Sequence, residues 1–193
     1  MDKYYEILES ADGKMTALSV IKNMEMLIKK DPHFLDPYNE IANIANENDD
    51  FKLEEIYRFK AFLMAVTIVA DKDGNYPNEM YWGHMENRHI IRALCNFAYF
   101  MWEQGKSGLA LEIFRKLLRS NLNDNIGARN YILAIRMGLK SDFEDKFIMK
   151  NSPILGLDAI KIGKWFDENS AKYPEEFLDY RIFTSRDNPN GRD

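Results

Sequence analysis

Cysteine is nearly absent. Cys95 is the single example, so no internal disulfide framework can staple the fold. Its place between Leu94 and Phe97, in an apolar helical pattern, reads as a buried thiol behaving as a small hydrophobe. Long hydrophobic runs are missing too: the longest, 61–70, is about half of the roughly 20 residues that a membrane-spanning helix needs. A surplus of positive charge is also lacking. With a net charge of −5 and a pI near 5.3, the chain has no broad positive field, so neither nucleic acid nor a membrane surface is expected as a partner. The first residues carry Asp2, Glu6 and Glu9 without an apolar core, unlike a secretory signal, and the expected compartment is the cytoplasm.

Catalytic motifs are missing as well. There is no Gly-x-Ser-x-Gly elbow, no phosphate-cradling glycine loop and no cysteine close to a histidine in sequence. No catalytic residue is therefore assigned, the protein is not expected to be an enzyme, and no cofactor or metal is expected.

What is present is the composition of a folded protein, 46% apolar and 30% charged, in a chain long enough for one domain with a sizeable core. Apolar residues recur at spacings of three and four almost throughout, which makes the chain all-α. Helices are predicted over 3–11, 16–29, 37–46, 53–69, 88–104, 106–120, 126–137, 142–149, 156–170 and 175–183. Turn-forming residues at Asp12-Gly13, Asp31-Pro32, Gly105 and around Pro153 separate them, and the short connections predict antiparallel hairpins. One connection is different: 71–87 contains Gly74, Pro77 and Gly83 and is too long for a simple turn. The stretch 184–193 is small, polar and charged, and reads as a disordered tail after a single domain over 1–183.

A period of 34 residues runs through the apolar positions. Leu94, Phe97, Ala98 and Met101 line one helical face, Gly105 makes the turn, and Ala110, Phe114 and Leu117 line the answering face. Ala128, Tyr131, Ile132 and Ile135 repeat the first face 34 residues on. The same face recurs upstream as Tyr38, Ile41, Ala42 and Ala45, and again as Tyr4, Ile7, Leu8 and Ala11. Small residues such as Ala98 and Ala110 stand where paired helices come closest. This pattern resembles the tetratricopeptide repeat (TPR) family, best over 91–124, with the long loop adding about 22 residues to one period. The second helix of the second unit aligns only after a slip of one to three residues, Leu122 replaces a favoured proline, and the register fades after Met137.

The resemblance implies antiparallel hairpins over about 3–30, 37–69, 88–120 and 126–150, stacked as a short right-handed α-solenoid and closed by capping helices over 156–183. It also implies a scaffold or adaptor that binds a peptide or protein segment in a concave groove lined by the first helix of each hairpin. On that register the groove carries Arg92, Asn96, Tyr99, Arg129, Asn130 and Leu133, whose amides could bond extended backbone and whose guanidinium groups could pair with carboxylates. A solvated polar face would carry the same residues.

Three other constellations compete. Tyr76, Tyr81 and Trp82 form an aromatic cluster in the long loop, either a binding hot spot or a cover for the hairpin they interrupt. Asp71, Asp73 and Asn75 open like a calcium loop, but Tyr76 stands where the glycine and Trp82 where the closing glutamate belong, so a polar turn is expected. His84, Glu86 and His89 suggest a metal or acid–base pair, but their spacing does not put both imidazoles on one helical face; a helix start capped by Glu86 or Asn87 is the simpler expectation. The alternatives to an adaptor are a homodimer joined through Trp82 or Trp165, and a small metal-dependent enzyme using the 71–89 loop.

Overall fold

The computed structural model describes residues 2–11, 15–149 and 156–187. Within them the protein is all-helical: α1 (Asp2–Ala11), α2 (Ala17–Lys30), α3 (Asp36–Glu47), α4 (Phe51–Val69), α5 (Met85–Glu103), α6 (Ser107–Ser120), α7 (Ala128–Arg136), a 3-10 helix (Ser141–Phe147), α8 (Ala159–Ser170) and α9 (Pro174–Asp187). The described residues contain no strand, only an isolated antiparallel bridge between Ile148 and Leu157. None of their helices is long and apolar enough to cross a membrane.

Local chemistry explains the boundaries. Thr16, Asp50 and Asp158 accept the backbone N–H three residues on, at 3.3, 3.1 and 3.1 Å, and so start α2, α4 and α8. Pro37 lies in the first turn of α3, where its missing N–H costs nothing. Gly105 adopts φ +75° after α5, and the N–H of Lys106 returns to the Met101 carbonyl at 2.8 Å, a turn that a side chain at this position would strain.

The segment predicted as a helix over 142–149 is instead a tighter 3-10 helix. Its continuation is drawn into the bridge: Asp158 N–H donates to the Phe147 carbonyl at 2.8 Å and Met149 N–H to the Gly156 carbonyl at 3.0 Å. Those partners compete with a further α-helical turn, and α8 begins only at Ala159 rather than near Gly156. The last helix continues through Asp187, so 184–187, expected to belong to a tail, are helical; 188–193 lie outside the described residues, as do Asp12, Gly13 and Pro153.

Contacts divide the chain into two compact units, Met1–Pro77 with Trp82–Phe97, and Asn78–Tyr81 with Ala98–Asp193. In the first, α1 packs on α2, α2 on α3 and α3 on α4, and the core holds Met24, Leu35, Ile41, Ala42, Ala61 and Ile91. In the second, α6 packs on α7, α7 on α8, and α9 returns to α6. The small residues expected at close approach, Ala98 and Ala110, are fully buried there, as is Ala128, together with Phe114 and Ile132.

Candidate functional site

In the first unit, α3 and the beginning of α5 share a polar seam. Arg92 donates from Nε and Nη2 to the two carboxylate oxygens of Asp36 at 2.9 and 2.6 Å, a bidentate pair in which the carboxylate is buried. One turn further along, the Asn96 amide donates to Asn39 Oδ1 at 3.2 Å. The Trp82 ring is approached by two cations, with the Arg88 and Arg92 guanidinium carbons 5.7 and 5.6 Å from its centroid. Arg88 also donates to the Trp82 carbonyl at 2.9 Å. These contacts hold Trp82 against α5.

The remaining groove residues belong to the second unit, where Tyr99 and Arg129 have internal partners and Asn130 and Leu133 are buried. Asp124 is buried in the turn before α7, where it accepts from Ala128 N–H at 2.6 Å, Arg129 N–H at 3.2 Å and Arg129 Nη1 at 2.8 Å. The Arg129 guanidinium is covered by Phe166 of α8 and Tyr180 of α9, 5.4 and 5.2 Å from their ring centroids. Tyr99 donates to the Ser141 carbonyl at 2.9 Å. Asn130 is buried and Leu133 fully so, which leaves neither on an open surface. The nine-residue α7 has α6 on one side and α8 on the other, and burial on both faces overrides the register that put these two side chains in a groove.

The loop aromatics separate. Tyr76 is half-buried and burial pushes its hydroxyl up to about 12. Tyr81 is exposed, and a hydrogen bond with Glu79 raises its pKa. The tightest anchor in this loop is a residue the sequence reading passed over: Met80 is buried and its N–H donates to the Ser120 carbonyl at 2.7 Å. Asp71 closes a polar turn on itself, accepting from the N–H groups of Asp73 and Asn75 at 2.9 and 2.8 Å, and these bonds lower its pKa. Its oxygens serve the turn.

His84, Glu86 and His89 are not gathered into a centre. Among the described residues no three His, Cys, Asp or Glu side chains are placed to share a metal ion. The helix starts at Met85, so Glu86 and Asn87 lie in its first turn, past the N-cap position. His89 packs edge-on against Phe34, at 5.8 Å between centroids, and its Nδ1 accepts from Leu35 N–H at a long 3.4 Å. Burial lowers its pKa. A neutral ring that accepts at Nδ1 carries its proton on Nε2, which makes His89 a single uncharged donor.

Beside that ring is an opening of about 720 Å3 within the first unit, with a mainly apolar lining that includes Tyr4, Leu27, Phe34, Met85 and Ile90. Exposed Lys3, Lys30 and His33 stand around it together with Asp31 and Glu86, so its charge is nearly balanced. Sequence reasoning missed this opening because its walls come from α1, α2, the turn after α2, the end of α4 and α5, elements far apart in the chain. The signal that could have found it was Asp31-Pro32 followed by His33-Phe34, a turn carrying two rings.

Comparison with protein-family models, with curated proteins and with solved structures finds no match for this chain.

Proposed function

We propose that the chain is a TPR-like helical-hairpin adaptor that binds a peptide or protein segment, and that the segment's apolar side chain enters the opening beside His89. The single observation that carries this reading is the opening itself: about 720 Å3 bounded by aromatic and aliphatic side chains, with the His89 ring among them. A preformed apolar recess suits a hydrophobic anchor of the bound segment. The packing of α1 on α2 and of α3 on α4 also supports the reading, in the hairpin sequence of the repeat, with the stacked right-handed solenoid as the proposed arrangement. Under this proposal the originally expected line of Arg92, Asn96, Tyr99 and Arg129 organises the protein, and the ligand contacts lie at Tyr4, Phe34, Met85 and His89. The net charge of −5 fits protein partners in a cytoplasmic setting better than nucleic acid or anionic lipid.

Met85 is 47% exposed and borders the opening, so Met85→Arg obstructs it while sparing the core. The expected result is a partner captured from native extract by the wild type, retained by a Leu109→Arg control and depleted at least about ten-fold with Met85→Arg, the equivalent of 1.4 kcal/mol. An identical set of partners with all three proteins would remove this site from consideration.

A further inference from the structure

His89 is a titratable group set into an apolar wall. Its ring packs edge-on against Phe34, its Nδ1 accepts from the N–H of buried Leu35 at 3.4 Å, and the same ring lines the opening of about 720 Å3 together with Tyr4, Leu27, Met85 and Ile90. Phe34 is in turn edge-on to Tyr4, at 5.4 Å between centroids, so the imidazole ends a row of three rings. An imidazolium in this place differs from the neutral ring in two respects. It brings a charge into a largely hydrocarbon setting, and with a proton on both nitrogens it no longer accepts from Leu35.

The charges around the ring do not reverse this preference. Burial is the largest influence on His89 and favours the neutral form; Asp36 favours the cation, Arg92 opposes it, and Asp31 and Glu86 add weaker attractions, with the pKa lowered on balance. Two of those carboxylates are already engaged, Asp36 by Arg92 through both oxygens and Asp31 by the His33 N–H at 3.1 Å. Lys3 of α1 and Lys30 of α2 line the same opening and add positive charge. Tyr4 stays neutral, since burial raises the pKa of its hydroxyl. An uncharged ligand that fills the opening takes water away from the imidazole and disfavours the cation further. Linkage makes that effect mutual, so the ligand binds less well wherever the ring is protonated.

We infer, on the reading of this opening as the binding site, that it is gated by a proton: it takes an uncharged apolar group at neutral pH and releases it in acid, when His89 becomes an imidazolium.

Binding of the uncharged apolar fluorophore N-phenylnaphthylamine to the whole chain tests this, measured at about pH 7.5 and about pH 5 with circular dichroism confirming the helices at both. The wild type is expected to bind about three-fold or more weakly at the lower pH. His89→Asn keeps an acceptor near the place of Nδ1 and takes up no proton, so its dissociation constant is expected to be the same at both. His33 is exposed at the rim, and His33→Asn is expected to keep the wild-type ratio. A wild-type ratio near one, or a His89→Asn variant that retains the wild-type ratio, overturns the gate. The His89 ring titration, followed by NMR, is expected at a lower midpoint in the loaded protein than in the free one, and equal midpoints overturn it as well. Absence of binding at about pH 7.5, or binding undiminished by Met85→Arg, removes the opening itself as the site; pH-independent binding that Met85→Arg abolishes removes the gate alone.

Discussion

Asp124→Ala is expected to lower the stability of the second unit by about 3–5 kcal/mol, read as a shift of the urea midpoint followed by circular dichroism. Three losses combine. Arg129 remains under Phe166 and Tyr180 with its 2.8 Å ion-pair partner gone. The N–H groups of Ala128 and Arg129 lose the acceptor that starts α7. The position also has φ +49°, a left-handed conformation that Asp and Asn tolerate and alanine adopts at a cost of about 1 kcal/mol. Asp124→Asn keeps an acceptor and suits the backbone, so it separates charge from capping. Burial pushes the Asp124 carboxyl up to about 6, while Arg129 and the two N–H groups pull it down. Because the folded carboxyl binds its proton more tightly than the unfolded one, this contribution to stability is full below about pH 4 and is lost as pH rises through about 6. The stability of wild type relative to Asp124→Asn should therefore fall as pH rises across that window. A flat difference between pH 4 and 7 would reject the assignment.

Arg92→Ala is the second large effect, and its direction differs from that expected of a groove residue. As a groove residue Arg92 would be removable without harm to the fold. Paired with buried Asp36 and close to the Trp82 ring, it is structural: its loss leaves a carboxylate without its cation and should cost about 2–4 kcal/mol. The lower end reflects the 37% exposure of the guanidinium side chain, through which solvent screens the pair. Asp36→Asn/Arg92→Ala removes the charge with its partner, and recovery of a good part of the loss in the double variant would identify the pair as the cause. A thermal midpoint unmoved by Arg92→Ala would show that the contact contributes little.

The helices were legible because their signal is local and repeated. Spacings of three and four, capping residues such as Thr16 and Asp50, and the turn at Gly105 act within a few residues, so the ten helical segments among the described residues stand close to where the sequence put them. The departures occur where distant backbone intervenes, as at the bridge that tightens 141–147 and delays α8. α5 starts at Met85 rather than near Arg88 because a polar loop gives no periodic cue to its end. The site was much less legible. Arg92 finds Asp36 across 56 positions of sequence, and Arg115 finds Glu176 across 61, so a polar residue that looks available for a ligand has already been claimed. Asn130 and Leu133 show the same limit from the other side: a repeat register says which way a residue turns on its helix, and the elements packed around α7 decide whether that direction is open.

The interleaving of the two units constrains how the chain is made. It crosses between them at 77–78, 81–82 and 97–98, the last crossing inside α5. During synthesis the first unit cannot close until residue 97 has emerged, although four residues of the second, including Met80, are released earlier and must wait for Ser120 before their backbone finds its acceptor. The early chain therefore carries an exposed methionine with no cavity yet built for it. No single protease cut can release both halves whole, and a fragment divided anywhere in the long loop lacks part of one core.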